Sequence, residues 1–345
     1  MIVFCGYANS DLTVSVPELP AAGARVQATR LDRGDGGMGA NAAVAAARAG
    51  ADVRFAGVVG GDPLSEAFLR TLAEDGVEVS WTDRTGALTT SVILLTPDGE
   101  RSIISQDDDL GTGHVTRVLD AAAAAGAGWL YLDGYRFPEA AAVVASARDG
   151  GAGTPRVLVD LDGADTAEAV RAALAAADHA IVGRAQATRL LGGDTALAEA
   201  AAVHAVHLIV TDGPRGWTLL TPSGERHDGR AISVTTVDAT GAGDCFAGTY
   251  GAELDRGAAS VEAARFAAVA AGLSCTRPGA RDGLPRRAAV LDYLNTHRDT
   301  HRPETGHAVA GDPADAHRER PRAATPHRAS AGAEEPEGPE GEDPR

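Results

Sequence analysis

Short apolar runs alternate with alanine-rich stretches along most of the chain, and that alternation predicts a fold. Ile2–Cys5, Val53–Val59, Trp129–Leu132, Val157–Asp160, Ala180–Val182 and Leu208–Val210 have strand length and little polar interruption, as strands buried on both faces require. Ala40–Ala49, Leu64–Glu74, Pro138–Arg148, Ala167–Ala176, Ala196–Ala205 and Val261–Ser274 predict helices between or after them. Pro138 suits the first position of its helix, where a missing N–H costs nothing. Such alternation predicts a parallel sheet covered on both faces, a three-layer α/β/α architecture.

Two regions follow a different rule. Thr13–Asp32 and Thr89–Gln106 alternate apolar with polar positions, and Thr96-Pro97-Asp98-Gly99 is a turn signal between Ser91–Leu95 and Arg101–Ser105. Strands with one wet face predict a small separate antiparallel sheet at the edge of the main body, a lid from about 12–33 and 88–107. Beyond residue 296 large apolar residues all but vanish, and seven arginines face eleven acidic residues. This composition predicts a folded domain over 1–296 and a disordered acidic tail over 297–345. His297 and His301 stand four apart in that tail, but no cysteine accompanies them to suggest a metal site.

Composition narrows the chemistry. A net charge of −17 argues against nucleic acid as a partner, because neutralising phosphates needs a basic face. Lysine is absent, so the phosphate loop that depends on a lysine and any lysine Schiff base are both excluded. Cys5, Cys245 and Cys275 are too scattered for a disulfide framework or a zinc site. With neither a signal-like amino terminus nor a run long enough to span a membrane, the expected location is the cytoplasm.

Two glycine-rich segments remain as candidates for chemistry. In Gly34-Asp35-Gly36-Gly37-Met38-Gly39-Ala40-Asn41, the positions of Gly34, Gly36 and Gly39 match a dinucleotide fingerprint, with Asp62 as a ribose-binding acid. Against that reading, the preceding Val26–Leu31 alternates, and Asp35 would set a carboxylate beside a pyrophosphate. A glycine pair followed by asparagine at a helix start suits close approach to a polyhydroxylated ligand, with the Asn41 amide both donating and accepting. In Asp238-Ala239-Thr240-Gly241-Ala242-Gly243-Asp244-Cys245-Phe246-Ala247-Gly248, backbone N–H groups at a helix amino terminus can converge on an anion. Asp244 would repel a resting phosphate, but it suits a base that accepts the proton of a hydroxyl attacking one. A carboxylate that only capped the helix would need neither the flanking glycines nor the preceding Thr240-Gly241-Ala242-Gly243.

Together these segments resemble the two signatures of the PfkB (ribokinase-like) carbohydrate kinase family: Gly36–Asn41 with Ala47-Arg48-Ala49-Gly50, and Asp238–Gly248. The likeness runs from Met1 to about Leu294 and takes in Gly57–Asp62 and Gly99-Glu100-Arg101. The resemblance implies a ribokinase-like fold with a β-lid and ATP-dependent phosphorylation of a primary hydroxyl on a sugar or sugar derivative. It makes Asp244 the catalytic base and the amides of Gly241, Ala242, Gly243 and Asp244 an anion hole. Asp11, Gly36, Gly37 and Asn41 would bind the sugar, and Thr211, Asp212, Gly213, Gly216, Gly241, Gly243 and Thr276 the nucleotide. It further implies Mg²⁺ as cofactor, K⁺ beside Asp238 and Thr240, and a homodimer through the lid.

One departure concerns the metal. Where many members carry N-x-x-E, this chain has Gly183-Arg184-Ala185-Gln186. Gln186 can accept a hydrogen bond from a metal-bound water but brings no charge, and Asp160 and Asp162 upstream are further candidates. An anionic substrate would need a fixed cation, with Arg25, Arg101 and Arg136 as suppliers. A nucleoside would need an aromatic from among Tyr7, Phe55, Tyr135 and Phe137. Aromatics are 4% of the chain, which ranks a sugar above a nucleoside. The alternatives are an adenosine-type nucleoside kinase and a sugar-binding protein that no longer turns over.

Overall fold

The computed structural model describes residues 1–98, 100–106, 110–136, 139–149 and 153–297. The expectations for Gly99, Phe137, Pro138 and the tail beyond His297 lie outside the described residues, as do those for the side chains of Arg101 and Arg136.

Two sheets organise the chain. The larger has eight strands in the order β12-β11-β10-β9-β8-β7-β1-β4. In chain order these are β1 (Ile2–Cys5), β4 (Val53–Phe55), β7 (Trp129–Asp133), β8 (Arg156–Asp160), β9 (His179–Gly183), β10 (His207–Thr211), β11 (Trp217–Leu220) and β12 (Arg226–Gly229). From β4 to β10 every pairing is parallel, and β11 and β12 close one edge antiparallel. Strand alternation divides the core in two. Ile2 and Phe4 pack with α1 (Met38–Arg48), α2 (Pro63–Glu74), α8 (Ala242–Asp255) and α9 (Ser260–Ser274). Val3 and Cys5 pack with α3 (Thr112–Ala124), α4 (Glu139–Asp149), α5 (Ala167–Ala176), α6 (Arg184–Leu190) and α7 (Asp194–Val203). Helices therefore cover both faces, which is the three-layer α/β/α fold and the reason the strand runs lack polar interruption.

Several boundaries differ from the sequence pattern. The strand expected over Val53–Val59 stops at Phe55, and beyond it Val58 meets Asp83 through an isolated parallel bridge. Of the segment Val26–Leu31, only Arg30 and Leu31 are in a strand. The chain loops over 26–29, and β3 runs over Arg30–Gly36.

The second sheet has the order β3-β2-β5-β6, with β2 at Asn9–Ser15, β5 at Thr89–Leu95 and β6 at Arg101–Ile104. It is mixed, not antiparallel throughout: β2 and β5 run parallel, Asn9 opposite Thr89. A long crossover through β4 and α2 separates them, and that connection permits a parallel pair where a tight turn would not. Its outer face meets solvent as expected, but with apolar side chains. Val14 pairs with Leu31 and Leu94, and Val92 with Ile104, so an apolar stripe lies opposite the face that carries Asp11, Ser91 and Ile93.

Candidate active site

Three close backbone approaches build the floor of the site. β3 ends at Gly36, and Gly37 (φ 95°) turns the chain into α1. A Cβ on Gly37 would lie 2.5 Å from Ala8 Cα and from the Tyr7 carbonyl, so only glycine lets this turn seat against the strand exit. Asn41, 4% exposed in the first turn of α1, faces inward. On the other side, Gly241 in the left-handed region (φ 73°) caps α8, which puts Asp244 in the first turn. Gly248 then brings α8 onto the Ala42 carbonyl of α1. This contact delivers Asn41 to Asp244: Asn41 Nδ2 donates to Asp244 Oδ2 at 2.8 Å.

A cavity of about 650 Å³ opens above this pair, lined among others by Asp11, Gly37, Asn41 and Asp244, with the mixed sheet as its roof. The Asp11 carboxyl accepts a hydrogen bond from Asn9 Nδ2 at 2.7 Å, and burial raises its pKa. Asn9 in turn donates to Ser91 of the neighbouring strand. Gly36 does not line the cavity; a Cβ there would press on Asn9 Oδ1 at 2.5 Å, so it makes room for the Asn9–Asp11 pair. Tyr7 and Tyr135 also line the cavity, ring centroids 5.4 Å apart, whereas Phe55 is fully buried in the core. Arg25 is exposed on the 17–28 loop and does not reach the cavity; among the described side chains the arginines that do are Arg30 and Arg33, both at the sheet.

Burial pushes Asp244 up to about 6; the Asn41 hydrogen bond and Arg281 oppose the rise, and Asp162 adds to it. The side chain is only half-buried by exposed area, because its free edge faces the cavity. Nearby, Asp133 and Asp160 end adjacent parallel strands in direct register. Burial and the surrounding carboxylates Asp244, Asp162 and Asp133 raise Asp160 well above the usual range. Among the described residues the buried Tyr131 hydroxyl beside them has no hydrogen-bond partner. Asp62 caps α2, accepting from the N–H groups of Leu64 and Ser65, so it is not a ribose-binding acid. The glycine segment follows a strand of the smaller sheet, which removes the dinucleotide reading.

A second cavity of about 650 Å³ lies across the α8 amino terminus, lined mainly by apolar groups together with Thr211, Gly213, Gly216, Ala242 and Gly243. Gly213 (φ 50°) and Gly216 (φ 108°) shape the turn after β10, and Asp212 pairs with Arg215 at 2.6 Å. Thr276 is not in this cavity. Its hydroxyl donates to the Leu273 carbonyl, and it lines a separate cleft with Arg48 and Leu284, leaving Cys275 as the nearest wall residue. The Ala242 N–H turns back to the Ala239 carbonyl at 3.2 Å, whereas those of Gly243 and Asp244 sit in the first turn, where a helix offers no internal acceptor. Asp238 braces the turn by accepting from Thr240 N and Oγ1 with one oxygen and from Gly279 N with the other. Gln186 Nε2 is committed to the carbonyls of Leu161 and Ala164.

Sequence comparison places this geometry in a family. The profile of the pfkB family carbohydrate kinases matches residues 1–287. The chain belongs to this family. It is 29% identical to a ribokinase of Bacillus subtilis over 302 residues, which is 85% of this chain and 99% of that protein. It is 30% identical to a fructokinase of Klebsiella pneumoniae, across 74% of this chain and 90% of the relative. The solved structure of Arabidopsis thaliana ribokinase complexed with ribose and ATP superposes with a TM-score of 0.70 at 25% identity, covering 85% of this chain and 98% of that one. The protein is thus a carbohydrate kinase of ribokinase-like fold.

Arg281 went unnoticed in the sequence. It is 8% exposed, and its Nε donates to Asn41 Oδ1 at 2.8 Å. No residue pattern marks it, since a lone arginine in a loop reads as solvated surface. Asn9 and Asp133 were missed for a similar reason: only the strand register brings them to the site.

Proposed function

We propose that the protein transfers the γ-phosphoryl group of ATP to a hydroxyl of an uncharged sugar, with Asp244 as general base. The observation that carries this reading is that Asp244 lines the cavity with Asp11 and Asn41 while the preceding Ala242 and Gly243, at the same helix amino terminus, line the apolar one. Asp11 and Asn41 would hold the sugar hydroxyls, and Thr211, Gly213 and Gly216 would line the nucleotide side. As the hydroxyl oxygen bonds to the γ-phosphorus, its proton passes to Asp244, and ADP departs with the electron pair of the broken P–O bond. The N–H groups of Gly241, Gly243 and Asp244 would stabilise charge on the transferring group. Roofing by the mixed sheet would keep water from the phosphoryl group.

Among the described residues, no three His, Cys, Asp or Glu side chains form a metal cage. Mg²⁺ fits the site nonetheless, since it keeps most of its waters and needs only one or two carboxylates beside phosphate oxygens. Asp160, crowded by other carboxylates around an unpartnered tyrosine hydroxyl, and Asp162 are the groups that would face it. When bound, the ion offsets phosphate charge. A K⁺ ion beside Asp238 and Thr240 would compete with the bonds that brace that turn.

The uncharged substrate follows from the arginines. Arg30 pairs with Asp32 at 2.6 Å in an exposed position, and buried Arg281 is committed to Asn41 and Gly36. Arg33 also lines the cavity but is exposed, so among the described side chains no buried, uncommitted guanidinium stands ready for a phosphate or carboxylate on the sugar. Release of ADP from Mg-ATP, measured with ribose, fructose, fructose 6-phosphate and adenosine, tests this. Stimulation by a neutral sugar supports the reading. Stimulation by adenosine alone would favour a nucleoside kinase, for which the Tyr7–Tyr135 pair supplies an aromatic wall. No stimulation, with ATP still bound, would leave a sugar-binding protein without turnover. Among the described residues no helix is long and apolar enough to cross a membrane, and we place the reaction in the cytoplasm.

A further inference from the structure

Arg281 lies beneath the sugar cavity, with its guanidinium 4.7 Å over the Phe68 ring. Its donors point inward: Nε to Asn41 Oδ1 at 2.8 Å, one terminal nitrogen to the Gly36 carbonyl at 3.0 Å, the other 3.4 Å from Asp35 Oδ2. Burial lowers its pKa to about 10, against the fields of Asp35, Asp75, Asp244 and Asp11, so it stays cationic at neutral pH.

An asparagine amide has two chemically opposite ends, and an arginine can only donate. Arg281 therefore admits one orientation of Asn41, with Oδ1 toward the guanidinium and Nδ2 toward Asp244. The reversed amide would set N–H against N–H on one side and a carbonyl against a carboxylate on the other. Two buried hydrogen bonds would become two repulsions.

We infer that Arg281 is a positioning residue for phosphoryl transfer: by donating to Asn41 Oδ1 it locks the amide so that Nδ2 holds Asp244 Oδ2 and leaves Oδ1 to take the proton of the sugar hydroxyl. This rests on Asp244 being the base. The ladder Arg281–Asn41–Asp244 crosses three segments that are remote in sequence, the 277–286 loop, α1 and α8, and ties them together under the reacting atoms. The other groups facing Asp244 are Asp162 and Asp160 from the end of β8, Tyr131 from β7, Tyr135 from the turn after it, and Cys245 on its own helix. Of all these, only Arg281 carries positive charge.

The test compares kcat, KM and the acid limb of the kcat–pH profile in Arg281→Met, Arg281→Lys, Asn41→Leu and the Asn41→Leu/Arg281→Met double variant, with Asp244→Asn alongside. Arg281→Met should lower kcat about 10²-fold while leaving the KM for ATP within about twofold. It should also move the acid limb to higher pH, because the carboxylate loses the field of the Arg281 cation. Arg281→Lys should return the limb toward the wild-type position without restoring kcat, since it keeps the charge but not the planar donor. If Arg281 acts through Asn41, the double variant should be no slower than Asn41→Leu alone. Wild-type kcat and acid limb in Arg281→Met, or losses that multiply in the double variant, overturn the role. Turnover surviving in Asp244→Asn removes the base itself, a distinct outcome. Should Arg281→Met fail to fold, Arg281→Gln, which keeps a donor and drops the charge, carries the same comparison.

Discussion

Replacing Asp244 by Asn should make the protein more stable and nearly inactive at once. The carboxyl rises from 3.8 to about 6 because burial outweighs its hydrogen bond from Asn41 and the field of Arg281. A shift of that size is about 3 kcal/mol for a group fully removed from water, and about 2 kcal/mol after allowance for the part of the residue that stays exposed. The sign follows from proton uptake. Between the unfolded and folded values the native state holds a proton that the unfolded chain has lost, so stability falls as pH rises through that window. At pH 7.5 the loss is complete, and a neutral asparagine, still accepting from Asn41, avoids it. The variant should therefore gain about 2 kcal/mol at pH 7.5, a rise in Tm of roughly 4 °C, and only about half as much at pH 5. Sugar-dependent turnover should drop about 10²–10⁴-fold, as loss of a general base predicts, and the wild-type kcat should fall away below pH 6 or so. Denaturant melts at the two pH values and a coupled ADP assay measure all three. A variant no more stable at pH 7.5 than wild type, or one that retains a tenth of its turnover, would refute the reasoning.

Asp11→Ala should raise the KM for sugar by about one to two orders of magnitude while changing that for ATP little, because the residue lines only the polar cavity; equal effects on both substrates would contradict this. Gly248→Ala exchanges a poor helix former for the best one, yet its Cβ would lie 2.8 Å from the Ala42 carbonyl carbon. Forcing α8 off α1 should cost about 1–3 kcal/mol in a melt and lower kcat through the Asn41–Asp244 pair, whereas a net gain in stability would show the helices are not in contact there. The outer stripe of the mixed sheet leaves Leu31 and Ile104 each 64% exposed, which suits pairing with a second copy. Light scattering should give a dimer that Leu31→Asp/Ile104→Asp converts to monomer; a monomeric wild type would rule out that assembly.

The central sheet was legible because burial on both faces forces continuous apolar runs, and six such runs marked the six parallel strands. What escaped was structure whose signal is weak or shared. β11 and β12 form an edge hairpin around Pro222-Ser223-Gly224, and β12, Arg-His-Asp-Gly, carries no apolar residue at all. The parallel pairing of β2 with β5 is likewise invisible locally, since alternation shows a strand's faces but not its partner's direction. In the site, the glycines that close backbone contact demands stood out, Gly37 and Gly241 above all. Arg281 did not, because its meaning lies in one acceptor 240 residues away.

Label transfer from γ-labelled ATP tests the central claim most directly. With Mg²⁺ and an uncharged sugar, the label should appear as a sugar phosphate ester, in step with ADP and far ahead of inorganic phosphate, and should vanish in Asp244→Asn. Label released only as inorganic phosphate, at one rate with or without every sugar tried, would contradict the account.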